Sequence, residues 1–557
     1  MNMKIYNIII GLSILLSSCS SFMDRYPLDS PSTETFYSNK DEMNMALNGC
    51  YSKITYTAWS LMPYEMHLDM MSDIGWFRGG YPSQTIAQGS HNANTGAFYE
   101  IWSTYYEGIG RCNRLLEGIE KNKSNVDEAS YNQINAEARF IRAYCYLHLV
   151  EGFGDVPLVT KTSSLADAYV TRTSKNEIFQ FIYKELDDIN QYLPLKASDK
   201  QHAEKGTAYG LKARAALYNG DFELAASAAK SCMDLNKYKL ENNYRTLFLK
   251  TGEKSDEIML SYSWDGILRY TQMRMVLSVK MNRNMLRSWV TFVPTFKMVD
   301  SYECTDGLPI QSSPIYDPKN PYKNRDPRMG MSIMRPGDIS GGWIFNSHPD
   351  SVKTRNVETG EVRENLDATG AYASFTGFGQ LKYYDESETN PAICTGNFTL
   401  MRYAEILLIY AEAKIELNQI DQSVFDALNQ IRRRPSVNMP DITSEKFPTQ
   451  ASLRSELRRE RNIELAQEGF RLYDIRRWKI AEKAMNVTIY GRPNKNTRKY
   501  EGIPTYDSTG EVPNYDEYKD IFRVVDRRTF DPNRDYLFPI PQQERDANSN
   551  LTQNPGY

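Results

Sequence analysis

The sequence predicts a mainly α-helical protein in which antiparallel helix pairs stack side by side as a solenoid, interrupted by a long irregular, loop-rich insertion that carries short strands. Three observations predict it. Apolar residues recur at helical spacing in two blocks; glycine-centred breaks split those blocks into short paired segments; and between the blocks the period fades while Gly, Pro, Asn, Asp and aromatic residues accumulate.

In the first block, Ala136, Phe140, Ala143, Tyr144 and Leu147 form one face of a helix over 135–151. Ile141, Cys145 and Leu149 add a second apolar face, which places this helix between neighbours. Gly152-Phe153-Gly154-Asp155-Val156-Pro157 stops it, because glycine supplies the turn and proline forbids continuation. Ser174-Lys175-Asn176-Glu177 reads as a capping box opening a helix that runs to about Leu193. Two alanine-rich helices follow over 206–218 and 222–235, split at Asn219-Gly220-Asp221. The run Ala216-Leu217-Tyr218-Asn219-Gly220-Asp221-Phe222-Glu223-Leu224-Ala225 is similar to a tetratricopeptide repeat.

The second block repeats the arrangement. Met401, Ala404, Leu408, Ala411 and Ile415 share one helix face, with Tyr403, Leu407 and Tyr410 on the other. A partner helix spans about 421–434, ended by Pro435, and a last pair covers 452–467 and 471–484, split at Gly469. These readings give roughly four pairs. In the middle, Ile258-Met259-Leu260-Ser261-Tyr262 reads as a strand and 292–302 as an isolated helix. The aromatic density of this long stretch argues for functional loops rather than disorder.

Composition narrows the function. At 41% hydrophobic and 24% charged residues the chain is an ordinary globular protein, and a net charge of -4 leaves no basic excess for holding nucleic acid. Its 38 Tyr, 22 Phe and 7 Trp suit a surface that is both apolar and wet, as sugar or peptide recognition requires, although core packing also consumes such residues. Six cysteines follow Cys19 without a CxxC pair; disulfides stay open, and Cys112 and Cys145 read as small buried hydrophobes. The five histidines are scattered with no HxxxH or HExxH, so no transition-metal site and no cofactor is expected. Loop oxygens that could hold a structural calcium are plentiful, but no Asp-x-Asp-x-Asp-Gly array marks one.

The N-terminus has Lys4, then an apolar run over 8–16, then small residues, which is the layout of a secretory signal too short to span a bilayer. Leu16-Ser17-Ser18-Cys19 resembles the bacterial lipobox, in which Cys19 becomes the acylated first residue. The expected organisation is a signal peptide over 1–18, a lipidated tether over 19–32 and a single body over 33–557. Within the body, helical repeats occupy about 33–238 and 398–490, the loop-rich region about 239–397, and a C-terminal segment 491–557.

Several motifs then carry a family resemblance. They are Arg139-Phe140-Ile141-Arg142-Ala143-Tyr144 leading into Gly152-Phe153-Gly154-Asp155-Val156-Pro157; Arg325-Asp326-Pro327-Arg328; Arg402-Tyr403-Ala404-Glu405 running on to Tyr410-Ala411-Glu412-Ala413; Glu460-Arg461-Asn462-Ile463-Glu464-Leu465-Ala466 with Glu468-Gly469-Phe470-Arg471 and Ile475-Arg476-Arg477-Trp478; and the terminal Asn554-Pro555-Gly556-Tyr557. Together they resemble the SusD/RagB family of outer-membrane nutrient-binding lipoproteins. The resemblance implies a surface-exposed, non-catalytic protein on a tetratricopeptide-like scaffold, which captures oligosaccharides and sits as a lid on a SusC-like TonB-dependent transporter. The run Ser20-Ser21-Phe22-Met23-Asp24 departs from the pattern, since it has one acidic residue where surface-exported relatives often carry several. Arg402, Glu405, Glu412, Glu460, Glu464 and Arg471 read as ion pairs that hold neighbouring repeats, and Trp102 and Trp478 as core.

A sugar offers an apolar C–H face and a hydroxyl edge, so its site needs an exposed aromatic beside short polar side chains. Asp73, Trp76, Phe77, Arg78 and Tyr81, in a glycine-rich loop, are the first choice; Trp264 with Asp265 and Trp343 with Asn346 come second. The competing reading for each is a ring folded back onto the scaffold. Two other functions stay open. One is peptide uptake on the same scaffold. The other, much the weaker, is a surface glycosidase, which needs two carboxylates roughly 5 to 10 Å apart; Glu65, Asp69 and Asp73 have the spacing of one helix face, but a solvated acidic stripe is the better account of them.

Overall fold

The computed structural model describes residues 36–54, 56–162, 168–267, 269–277, 279, 288–497, 504–506 and 513–557. The expected signal peptide over 1–18, Cys19 and the expected tether over 19–32 lie outside the described residues. Helix Lys40–Ile54 rests on Gly96–Lys121 and Glu128–Phe153, and the latter packs in turn on Lys175–Ile189. Lys205–Asn219 and Phe222–Asp234 follow, and Phe222–Asp234 lies against Tyr403–Glu416. The two helical blocks, far apart in sequence, thus continue as one array, which Gln422–Arg432 and Gln450–Glu464 extend. One apolar core runs through it. The remainder is mostly loop with short two-stranded antiparallel sheets, so the fold is the mainly α, repeat-like scaffold with short strands that the sequence predicts.

Local signals explain most elements. Ser174 and Glu177 form the reciprocal cap at Lys175–Ile189. Glu128–Phe153 starts earlier than its apolar period, because the Asp127 carboxylate accepts the Ser130 amide at 2.9 Å. Strand Ile258–Tyr262 forms as read and pairs with Phe398–Arg402.

Two readings are corrected, and one helix went unread. The stretch 292–302 is a strand, Phe292–Pro294, and then a short helix, Phe296–Ser301, because Thr295 caps at 3.4 Å the Met298 amide after the chain has paired with Gly75–Phe77. The stretch 471–484 is two helices, Arg471–Arg477 and Ala481–Met485, broken where Lys479 takes a φ of 57°. Gly96–Lys121 escaped the periodicity because glycines interrupt it. They mark close approach instead: a Cβ at Gly108 would lie 2.9 Å from the Cys145 sulfur.

Buried ion pairs dock the insertion onto the scaffold. Arg402 binds Glu257, Glu464 and Glu468; Arg328 binds Asp326, Glu460 and Glu464; Arg434 binds Glu257 and Glu464. Glu405 pairs with Arg214, Glu412 with Arg477 and Arg471 with Asp73, so every motif residue read as an ion-pair former is one. The C-terminus closes on the first block, where Asn554 donates to the carbonyls of Phe153 and Phe538 at 2.8 and 2.7 Å.

The three acids at helical spacing are not a solvated stripe. Glu65 and Asp69 lie on helix Tyr64–Met70 with Asp73 just beyond, and all three are buried. Each has its partners: Tyr144 and Tyr262 hydroxyls reach Glu65, the Gly469 and Arg471 amides bind Asp69, and Arg471 grips Asp73 through both oxygens. Gly469 is required there, since its φ is 92° and a Cβ would stand 2.6 Å from the Glu65 carbonyl. The six described cysteines are buried free thiols. Among the described residues no helix is long and apolar enough to cross a membrane.

Candidate ligand-binding site

Gly75–Phe77 is a strand rather than an open loop, paired antiparallel with Phe292–Pro294 so that Trp76 stands opposite Val293. Alternation along a strand sends neighbouring side chains to opposite faces, and here both faces are covered. Trp76 is 4% exposed in a small cluster with Val290 and Val293, against which Phe375 and Val525 pack. Phe77 is buried against Phe292, with ring centroids 4.7 Å apart. Asp73 is consumed by Arg471, whose guanidinium holds the carboxyl below its usual range although burial, the larger influence, opposes it. The expectation that these three side chains face solvent is therefore corrected.

Arg78 and Tyr81 emerge where the strand ends. Arg78 donates to the Ala373 carbonyl at 3.0 Å and to that of Ala371, and its guanidinium lies 4.0 Å from the Phe375 ring centre and 4.9 Å from that of Tyr372. Trp76 stacks on the same Phe375 at 6.2 Å. Arg523 covers Phe375 at 3.6 Å, and Arg492 approaches it at 5.6 Å. Tyr81 and Tyr372 are 39% and 48% exposed. The result is a face on which the exposed Tyr372 ring lies with Arg78 and Arg523 over Phe375, supported from beneath by Trp76 and the buried Arg492, while Tyr81 packs on Phe77 with ring centroids 4.9 Å apart. Burial first, then Arg523 and Arg78, brings the Arg492 pKa down to about 10, so the face carries concentrated positive charge. Such a surface suits a ligand with an apolar face and many acceptor oxygens.

The second-choice residues are divided. Trp264 is buried in the main core with its ring edge-on to Tyr262 at 5.0 Å, and Asp265 accepts the Ile267 amide at 2.7 Å, holding a turn. Trp343 is likewise buried, under the Arg363 guanidinium at 3.7 Å. Their exposure is corrected too: each ring packs on its own chain. Half-buried Asn346 accepts the His348 amide at 3.0 Å, and its carbonyl accepts from Asn365. This loop connects to the arginine face, because Arg492 donates to the Ser347 and Ala368 carbonyls at 2.9 and 2.8 Å.

Sequence reasoning missed Tyr372, Phe375, Arg492 and Arg523. The one available signal was Ala371-Tyr372-Ala373-Ser374-Phe375, two aromatics set among small residues in a loop. Trp102 is buried as read, whereas Trp478 is corrected from core to a half-buried wall of a cleft. Among the described residues no group of three or more His, Cys, Asp or Glu side chains gathers as a metal site.

The profile of the SusD family matches residues 257–557, and a second profile, described as starch-binding associating with outer membrane, matches 21–217. The chain belongs to the SusD family. This SusD-family protein is 26% identical to SusD-like protein P2 of Formosa agariphila over the whole of both chains. Among solved structures it resembles a SusD-like carbohydrate binding protein from Bacteroides fragilis, with 30% identity and a TM-score of 0.80 over 93% of this chain and 100% of that one. A second SusD-like protein from the same species gives 25% identity and a TM-score of 0.76, covering 96% and 100% of the two chains.

Proposed function

We propose that this SusD-family protein is a non-catalytic glycan-binding lipoprotein of the cell surface, anchored in the outer membrane through acylated Cys19. It captures oligosaccharides and delivers them to a SusC-like TonB-dependent transporter. The observation that carries the binding half of this reading is the face of Arg78, Tyr372, Phe375 and Arg523: a sugar ring rests its C–H surface on the exposed tyrosine while guanidiniums donate to its hydroxyls. The Bacteroides fragilis neighbour described as carbohydrate binding supports the ligand class, and the profile described as associating with outer membrane supports the location.

The lipobox supports the anchor. Buried acyl chains contribute about 0.8 kcal/mol per methylene, so several chains hold the protein without a membrane-spanning helix. Holding the binding protein and the transporter on one membrane raises their effective concentration, so a modest intrinsic affinity suffices to keep them together. The non-catalytic reading is supported by Glu65, Asp69 and Asp73, which are buried and whose oxygens are held by the Tyr144 and Tyr262 hydroxyls, by backbone amides and by Arg471. The body over 33–557 then works as one unit, in which the repeats carry the loops that meet the ligand.

Calorimetric titration of the unlipidated chain, residues 20–557, against oligosaccharides and peptides tests this. One glycan class binds, and Tyr372→Ala weakens it by about tenfold, the equivalent of about 1.4 kcal/mol from a lost aromatic stack with its buried area. Peptide binding alone, or glycan binding indifferent to Tyr372→Ala, contradicts the reading.

A further inference from the structure

A cleft of about 560 Å³ opens at the end of the helical array, between the Asn219–Gly220 turn, the helix end around Arg477 and the C-terminal segment around Tyr536. Its volume falls within the roughly 300–1,000 Å³ of small-molecule sites. It is separate from the Arg78 face, with which it shares no lining residue.

Its chemistry is uneven. Five cations, Lys175, Arg458, Arg476, Arg477 and Lys479, face three carboxylates among the described residues. Glu412 is engaged with Arg477 at 2.5 Å and Glu416 with Arg454 at 2.7 Å, whereas Glu151 lies 3.8 Å from Lys175 and its Oε1 has no hydrogen-bond partner among the described residues. Arg476 stands out. It is 6% exposed, and its Nε and Nη1 have no hydrogen-bond partner among the described residues. Those two atoms are enclosed, with the guanidinium 4.5 Å from the Phe538 ring centre, and the small exposed part of the side chain lines the cleft. Lys479 reaches the same cleft from the surface, its ammonium 4.1 Å from the Tyr536 ring centre. A left-handed backbone at Lys479, φ 57°, is what carries the chain around this corner.

We infer that this cleft is a second binding site, which takes an acidic saccharide, with the anionic group held between Arg476 and Lys479 and the ring lying along Tyr536 and the edge of Trp478. Arginine and lysine together suit a carboxylate, because the guanidinium donates in a fixed plane and the ammonium adds a point charge. The Trp478 indole is fixed for this, its Nε1 donating to Glu412 at 2.7 Å. The inference does not rest on the Tyr372 face, and the two are separable by experiment.

The test uses the unlipidated chain carrying Tyr372→Ala, with a galacturonic acid trisaccharide and its neutral galactose counterpart as probes. The acidic trisaccharide binds this chain and the neutral one binds at least tenfold more weakly. Adding Lys479→Glu, at an exposed position, weakens the acidic probe at least tenfold, and Lys479→Arg restores it. Failure of the acidic probe to bind at millimolar concentration, indifference to Lys479→Glu, or equal loss of both probes overturns the inference.

Discussion

Glu464→Ala destabilises the protein by about 3–5 kcal/mol, the largest single effect expected of any side-chain truncation outside the apolar core. Three guanidiniums converge on this carboxylate. Arg402 reaches it at 2.7 Å, Arg328 at 2.9 Å and Arg434 at 3.0 Å, all without solvent. Although burial alone would raise its pKa, Arg402, Arg434 and Arg328 hold it far below the ordinary glutamate range. Removing the carboxylate leaves three positive charges facing one another in a low-dielectric interior, and the remaining acids compensate only in part. Because Arg328 belongs to the loop-rich middle and Arg402 and Arg434 to the repeats, the loss also loosens the insertion on the scaffold. Denaturant unfolding at neutral pH measures this. A comparison is Asp234→Ala, which removes the exposed pair with Lys230 and changes stability by less than about 1 kcal/mol. A cost for Glu464→Ala no larger than that of Asp234→Ala contradicts the ionic account.

The second large effect is a pH dependence centred on Glu65. Burial pushes its pKa up to about 7 from 4.5, even with the opposing influence of its own amide and the Tyr262 and Tyr144 hydroxyls. The sign follows from proton counts. Below about pH 4.5 both folded and unfolded states hold the proton and nothing is lost. Between about 4.5 and 7 the unfolded chain releases it while the folded protein keeps it, so stability falls as pH rises and levels off above 7. The shift corresponds to on the order of 3 kcal/mol. Glu65→Gln removes this contribution, so the variant gains about that much relative to the parent between pH 4.5 and 8. Asp69, raised by burial to about 7, and the arginine-held acids titrate in both proteins and cancel from the difference. Paired unfolding curves at the two pH values give the result directly. A stability difference between variant and parent that does not change with pH shows that Glu65 is ionised in the fold at its ordinary pKa.

The helical scaffold was legible because its signals are local. A capping box at Ser174, a glycine at 469 and apolar positions at helical spacing act within a few residues, and the corresponding elements formed close to where they were expected. Elements whose reason lies elsewhere in the chain were not legible. Glycines within Gly96–Lys121 look like breakers until Lys53 and Cys145 are seen against Gly108. Phe292 reads as helix until strand Gly75–Phe77 claims it by pairing.

The candidate site divides along the same line. The stretch 73–81 led to the right region, since Arg78 and Tyr81 surface there, but Trp76 and Phe77 turned inward because the strand needs both its faces covered. The exposed ring that completes the face comes from Tyr372, and Arg523 is more distant still; only folding brings them to Arg78. Tryptophan proved a weak guide to exposure. Its large apolar area is most stabilising when covered, as at 264 and 343, while tyrosine keeps a hydroxyl for water and tolerates the surface.

The central claim is that ligand binding belongs to the tyrosine–arginine face at the end of strand Gly75–Phe77. A crystal structure of the unlipidated chain with the tightest-binding oligosaccharide tests it most directly. The account predicts a sugar ring against Tyr372, with hydroxyls within hydrogen-bond distance of Arg78 or Arg523. A glycan bound away from these three residues, with Tyr372 left in solvent, would contradict it.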